Sequence, residues 1–95
     1  MLKHVVLFQF EDPSPANLER AAAALRGLLG VVPSLRFIEV GQDTTRSARC
    51  YDLCLTTAFD DRAGMEAYAV HPAHQEVVAL LGQLTRGAVV VDYEV

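Results

Sequence analysis

The segment YAVHPAH, which runs from Tyr68 to His74, places a phenol and two imidazoles within seven residues of one another. An imidazole with its ordinary pKa of about 6.5 can take up a proton at neutral pH. A phenol can donate a hydrogen bond to an oxygen that gains negative charge during a reaction. These side chains could therefore catalyse proton transfer without a cofactor. They could also simply stabilise a junction between two short helices, because Pro72 separates the two histidines.

The elements around this segment decide whether its polar groups meet. We expect the helix that carries Tyr68 to end near Val70, because Pro72 cannot continue it without a break but can begin a new helix. Both segments repeat apolar residues at helical spacing. The first has Met65, Tyr68 and Ala69 on one face, and the second has His74, Val77, Val78 and Leu81. The break would therefore turn Tyr68 and His74 toward one space.

The rest of the chain predicts a single domain over residues 1–95 with the element order β-α-β-β-α-β. This is the ferredoxin-like arrangement of the α+β class, with an antiparallel four-stranded sheet. The polar segment Gly41–Arg49 has no periodicity and is expected to form a mobile hairpin loop. The expected strands are Leu2–Phe10, Leu35–Val40, Tyr51–Phe59 and Ala88–Val95, and the expected first helix is Pro15–Leu29, capped by Ser14.

Apolar residues lie on both faces of the predicted strands. In the first strand Val5 and Leu7 oppose a second apolar row that contains Leu2, His4, Val6, Phe8 and Phe10. Helices cover only one face of such a sheet, so the other face should be polar if it meets water. Burying Val5, Leu7 and either Val90 or Val91 would stabilise the protein by roughly 1.5–3 kcal/mol each. We therefore expect a homodimer in which two sheets pack face to face.

Composition and charge exclude several classes of partner. Hydrophobic residues make up 52% of the 95 residues, a large share for so small a domain, which agrees with burial against a second chain. The net charge is −4, and the eight Lys and Arg residues are scattered. We therefore expect no nucleic-acid partner and no anionic membrane partner. No window reaches the roughly 18 apolar residues that a membrane span needs, and no signal peptide is recognisable, so we expect a cytoplasmic protein.

The cysteines and acidic pairs do not indicate a metal site. If Cys50 and Cys54 lie on one strand, their Cα atoms are about 13 Å apart, which is too far for a disulfide bond. We expect both thiols to be reduced, and their spacing is not that of a zinc site. Asp60 and Asp61 suit the start of a helix and lack a third ligand at sensible spacing. The sequence predicts neither a metal nor a cofactor.

Five segments in combination resemble the stress-responsive A/B barrel domain (Dabb) family, and the likeness extends over nearly the whole chain. The opening histidine at His4, the positions of Pro33 and Gly41, and the HPxH element carry most of it. Each of these features alone is weak. The segments are KHVVLFQF at Lys3–Phe10, VVPSLRFIEVG at Val31–Gly41, YDLCLTTAFDDRAGMEAY at Tyr51–Tyr68, HPAH at His71–His74 and VVVDYEV at Val89–Val95.

The resemblance implies a dimeric α/β barrel with a pocket between helices and sheet inside each protomer. Plant polyketide cyclases of this family close a ring by aldol condensation without a cofactor, with a histidine as general base and a tyrosine hydroxyl at the enolate. The matching positions here are His74 and Tyr68, with His4 nearby. A small hydrophobic or polyketide-like ligand is the implied partner. The expected lining residues are Val6, Phe8, Leu25, Leu53, Leu55 and Val78.

The sequence departs from these cyclases at two places. They have a further histidine on the third strand, where this chain has Leu53, and aromatic residues on the first helix, where this chain has Ala21–Ala24. Two alternatives therefore stay open. One is a non-catalytic, stress-associated structural or binding dimer, whose histidines would bond to backbone carbonyls in a closed core. The other, on fold analogy alone, is a cofactor-free monooxygenase-like enzyme.

Overall fold

A computed structural model describes residues 1–95 and confirms the ferredoxin-like arrangement. All strand pairs are antiparallel, and the strands lie in the order β2-β3-β1-β4. The predicted break in the second helical region is present, so that this region holds two helices. The elements are β1 (Leu2–Phe10), α1 (Pro15–Arg26), β2 (Phe37–Gln42), β3 (Leu53–Phe59), α2 (Arg62–Val70), α3 (Pro72–Leu84) and β4 (Thr85–Glu94).

Local sequence signals explain where the helices begin. The Ser14 hydroxyl accepts a hydrogen bond from the Asn17 amide, and Pro15 follows as the first helical residue. Asp61 caps α2 by accepting from the Gly64 amide. His71 has an extended backbone, as expected for a residue before proline, and separates α2 from α3.

Several boundaries differ from the prediction. Helix α1 ends at Arg26 rather than Leu29, because the Gly27 amide closes the last turn on the Ala23 carbonyl and the chain then turns through Gly30 at a φ of 87°. The apolar spacing predicted a longer helix because Leu28 packs in the core although it lies in the turn that follows α1. Strand β4 follows α3 directly and begins at Thr85 rather than Ala88.

The other two strands are shifted as well. Strand β2 covers Phe37–Gln42 instead of Leu35–Val40, so that Gly41 and Gln42 pair with β3 rather than open the expected loop. Strand β3 begins at Leu53. The amide of the preceding residue, Asp52, donates a hydrogen bond to the Phe8 carbonyl of β1 outside the regular strand pairing. The strand boundaries therefore differ from the prediction, whereas the ferredoxin-like arrangement and the face to which the strand residues point agree with it.

The helices pack on one face of the sheet, which we call the inner face. The row of β1 that begins at Leu2 faces inward, and Val6, Phe8 and Phe10 from this row belong to one buried cluster with side chains of all three helices. None of the three helices is both long and apolar enough to cross a membrane. The largest fully buried side chains are Tyr68, Phe59, Leu25, Leu53, Val32 and Thr57.

The opposite, outer face of the sheet is apolar and carries no helix. Val5 pairs with Val91 and Leu7 pairs with Val89 across β1 and β4, which makes one continuous hydrophobic surface. Val91 is 55% exposed. Val90 pairs with Val6 and therefore belongs to the inner side of the sheet, so Val91 is the valine that accompanies Val5 and Leu7.

A buried carboxylate ties the loop before β3 to the end of β1. Asp52 is 6% exposed and accepts hydrogen bonds from the Phe10 amide at 2.7 Å and the Arg46 guanidinium at 2.8 Å. Asp43 pairs with the same arginine. A buried carboxylate is stable only when it is hydrogen-bonded in this way. The loop is therefore tied down by charge at its base.

Replacing Asp52 with alanine should lower the free energy of unfolding by about 1–3 kcal/mol, because the Phe10 amide would lose its partner inside the protein. Urea unfolding at one fixed protein concentration measures this. Asp60→Ala is the matched control, since Asp60 pairs with Arg36 on the exposed surface and its loss should change stability little. Equal losses in the two variants would contradict the structural role of Asp52.

Candidate functional site

A cavity of about 290 Å³ lies between α3 and the inner face of the sheet. Its wall is mostly apolar, and its polar groups are the side chains of His4, Tyr68, His74 and Thr85. The structure thus brings the three predicted acid–base residues to one space. The apolar lining residues are Val6, Phe8, Leu25, Leu55, Val77, Val78 and Leu81.

Five of the six apolar residues expected around a ligand line this cavity, and Leu53 does not. Leu53 faces the inner side like Leu55, but its side chain is 2% exposed and is packed into the hydrophobic core. Alternation along a strand identifies the face of the sheet. It does not show which positions on that face lie under a helix and which border an open space, and this is why Leu53 was misplaced.

Tyr68 packs between two other rings, and its hydroxyl group has no partner within the protein. Its ring packs on Phe59 with centroids 5.0 Å apart and on His74 with centroids 4.1 Å apart. The side chain is 2% exposed, and its hydroxyl oxygen is buried without a hydrogen-bond partner. Burial raises the pKa of Tyr68 to about 12. The phenol therefore keeps its proton at neutral pH and can act as a donor.

His74 is oriented by the end of the preceding helix. Its Nδ1 lies 3.1 Å from the carbonyl oxygen of Ala69, so the ring donates there and leaves Nε2 with a free lone pair. Burial lowers the pKa of His74; the Ala69 hydrogen bond opposes this, and positive charge on His4 or His71 would add to it. The imidazole is accordingly neutral at pH 7 and can act as a base.

His4 is paired with a residue that the sequence analysis did not select. His4 and Asp92 lie opposite each other in β1 and β4, and Nδ1 of His4 lies 2.5 Å from Oδ1 of Asp92. When the neutral ring donates its Nδ1 hydrogen to this carboxylate, Nε2 is left to accept a proton. Asp92 lies in the same row of β4 as Val90, but its partner depends on the register between two strands that are distant in sequence.

His71 has a local role, as a capping residue. Its Nδ1 accepts a hydrogen bond from the Ala73 amide at the start of α3. No group of three or more His, Cys, Asp or Glu side chains in the chain is arranged to hold a metal ion. The polar end of the cavity thus offers one phenol donor and two imidazoles, which is a set suited to proton transfer.

The comparisons agree with this fold. An uncharacterised protein of Streptomyces coelicolor is 35% identical over 97 residues, covering 99% of this chain and 99% of that protein. A solved structure from a Jannaschia species is 33% identical with a TM-score of 0.81, covering 99% and 98% of the two chains. One from Thermobifida fusca is 27% identical with a TM-score of 0.88, covering 99% and 90%. Both solved structures are of dimeric ferredoxin-like proteins of unknown function.

The family assignment follows from a match over almost the full chain. The family model of the stress responsive A/B barrel domain matches residues 2–95, the range that contains every element of the fold and every group of the cavity. The resemblance found in the five sequence segments is therefore confirmed. The chain is a member of the stress responsive A/B barrel domain (Dabb) family.

Proposed function

We propose that this protein catalyses cofactor-independent proton transfer next to a carbonyl group, as in the ring closure of a polyketide-like compound. The observation that carries the proposal is that Tyr68, whose buried hydroxyl has no partner within the protein, lines one cavity together with two imidazoles. An unsatisfied buried hydroxyl costs about 1–3 kcal/mol. A carbonyl oxygen of a bound substrate would supply the missing acceptor and recover this cost when the substrate binds.

The reaction follows from the protonation states of these groups. Tyr68 donates a hydrogen bond to the substrate carbonyl, and Nε2 of His74 removes a proton from the adjacent carbon. The electron pair of the broken C–H bond forms an enolate, whose oxygen Tyr68 stabilises. In a ring closure the enolate carbon attacks a second carbonyl of the same molecule, and the new alkoxide takes the proton back from His74. His4, held by Asp92, is a second proton carrier on the sheet side.

The non-catalytic alternative fits the side chains less well. It requires a closed core in which both histidines bond to backbone carbonyls. His74 does bond to a carbonyl, but His4 bonds to the carboxylate of Asp92, and the space between helix and sheet is open. The monooxygenase-like alternative still depends on fold analogy, and no residue of the cavity favours it.

We also propose that the active form is a homodimer joined through the outer face of the sheet. The surface around Val5, Leu7, Val89 and Val91 is exposed in one protomer, whereas the structural relatives from Jannaschia and Thermobifida are dimers. A stable interface buries about 800 Å² per partner, which the outer face of a four-stranded sheet can provide. The cavity opens on the other side of the sheet, so dimerisation would leave its helix-side wall free.

Sedimentation equilibrium should show a dimer for the wild type in dilute buffer. Val91→Glu should dissociate it, because two carboxylates would be buried near the contact. Val70→Glu is the matched control, since Val70 is 73% exposed but lies at the end of α2. Circular dichroism would verify that both variants are folded. A stable wild-type monomer, or equal dissociation in both variants, would refute this interface.

Tyr68→Phe should separate stability from activity. Removing an unpartnered buried hydroxyl should leave the free protein as stable as the wild type or more stable, by up to about 1–2 kcal/mol. The variant should lose at least about 100-fold in the exchange of α-hydrogens of an aryl methyl ketone with D₂O, measured by NMR, since the enolate loses its donor. His74→Gln should abolish exchange. A destabilised Phe variant with full exchange activity would favour the structural interpretation.

The lowered pKa of His74 predicts a pH dependence with a definite sign. The unfolded chain protonates this residue below its ordinary pKa of 6.5, whereas the folded protein does so only at lower pH. The contribution of the neutral ring to stability is therefore complete above pH 6.5 and is lost as the pH falls toward the folded pKa. Between pH 7.5 and 5.5 the wild type should lose more stability than His74→Gln.

The acid limb of kcat/KM for exchange should lie below pH 6.5, and a limb above that value would contradict the assignment.

A further inference from the structure

We infer that the cavity selects compact, uncharged carbonyl compounds with about two fused rings, and that Gly82 sets the length of ligand it accepts. This inference rests on the proposed function, because it concerns the substrate class of the same site. Three features of the cavity carry it: its volume, the charges of its lining and the absence of a side chain at one position of α3.

The volume of the cavity indicates how large a ligand its apolar wall can cover. A dry cavity of about 150 Å³ in another protein accommodates one benzene molecule. The cavity here is about 290 Å³, and by the same proportion it holds about twelve non-hydrogen atoms. A one-ring ligand would leave part of the apolar wall uncovered, and most of a ligand carrying a nucleotide group would lie outside this wall.

The lining favours a neutral ligand. None of the twelve lining residues is lysine or arginine, so no permanently charged donor is present for a carboxylate or phosphate. The carboxylate of Asp92, which bonds to the lining residue His4, would repel an anion. An anion would lose its hydration on entering without gaining an ion pair, which is a large cost. A ketone or aldehyde needs only one donor, and the Tyr68 hydroxyl is a donor that no group of the protein occupies.

Gly82 has no side chain at the rim of the cavity, although alanine at this position would make the helix more stable. His74, Val78 and Gly82 are each four residues apart and line the cavity along one stripe of α3. Gly82 is therefore about 12 Å along the helix axis from His74. A Cβ atom at Gly82 would meet no atom within 4 Å, and the residue is exposed at the rim of the cavity. Glycine inside a helix costs about 1 kcal/mol relative to alanine, and the space it leaves is where the second ring would lie.

Binding of matched ligands tests the size and charge rules. The probes are acetophenone with one ring, 2-acetonaphthone with two rings, and 2-naphthoate as the anionic match of the two-ring ketone. Calorimetry on the full chain at pH 8 should show that 2-acetonaphthone binds at least about tenfold more tightly than either other probe. Equal or tighter binding of 2-naphthoate would overturn the charge rule, and equal binding of acetophenone would overturn the size rule.

Substitution at Gly82 tests the position directly. Gly82→Leu should weaken binding of 2-acetonaphthone at least about tenfold while acetophenone, which fits beside His74, binds as in the wild type. Gln83→Leu places the same leucine side chain at the next, exposed residue of α3 and should change neither ligand. Gly82→Ala should fold at least as stably as the wild type and show a smaller loss, which protects the test against a misfolded leucine variant. Unchanged two-ring binding in Gly82→Leu would overturn the inference.

The two proposals can fail separately. If 2-acetonaphthone binds selectively and Gly82→Leu prevents it, but no α-hydrogen exchange occurs, then the ligand class stands and the proton-transfer function fails. If exchange occurs equally well with an anionic ketone or one of much larger size, then the function stands and the ligand class fails.

Discussion

The hydroxyl group of Tyr68 is buried without a partner, and the account of this protein depends on that one unsatisfied donor. The phenol ring packs against the rings of Phe59 and His74, so Tyr68 is a core side chain and not a surface side chain. Burial also keeps the phenol protonated. A donor held in place in this way stabilises negative charge on a ligand more effectively than water would, because it needs no reorientation during the reaction.

The one-sided packing of helices on the sheet explains why such a site can exist in a small domain. The core fills most of the space between the helices and the inner face, and α3 passes into β4 without a loop. The cavity lies between this helix and the sheet, lined from β1 and β3 on one side and α3 on the other. The outer face is left apolar and uncovered. Because the helices pack on one face only, the inner face of the sheet borders a cavity of ligand size, and the outer face remains apolar and suits a second copy of the chain.

The sequence predicted the parts of this arrangement that depend on periodicity and on proline. Pro72 had to break the helix, and the spacing of Tyr68 and His74 then directed both to one space. The alternation of β1 identified His4 as an inward residue. The partner of His4 could not be predicted, because Asp92 meets it only through the register of two distant strands. Leu53 was assigned to the ligand space for a related reason: alternation shows the face of a strand and not the depth of packing above it.

The most direct measurement is a crystal structure of the protein with a bound neutral aryl ketone. We expect the carbonyl oxygen to lie within about 3 Å of the Tyr68 hydroxyl, the α-carbon to face Nε2 of His74, and the rings to extend along α3 toward Gly82. A ketone that binds with its oxygen away from Tyr68, or a Tyr68 hydroxyl already bonded to another protein group, would contradict this expectation.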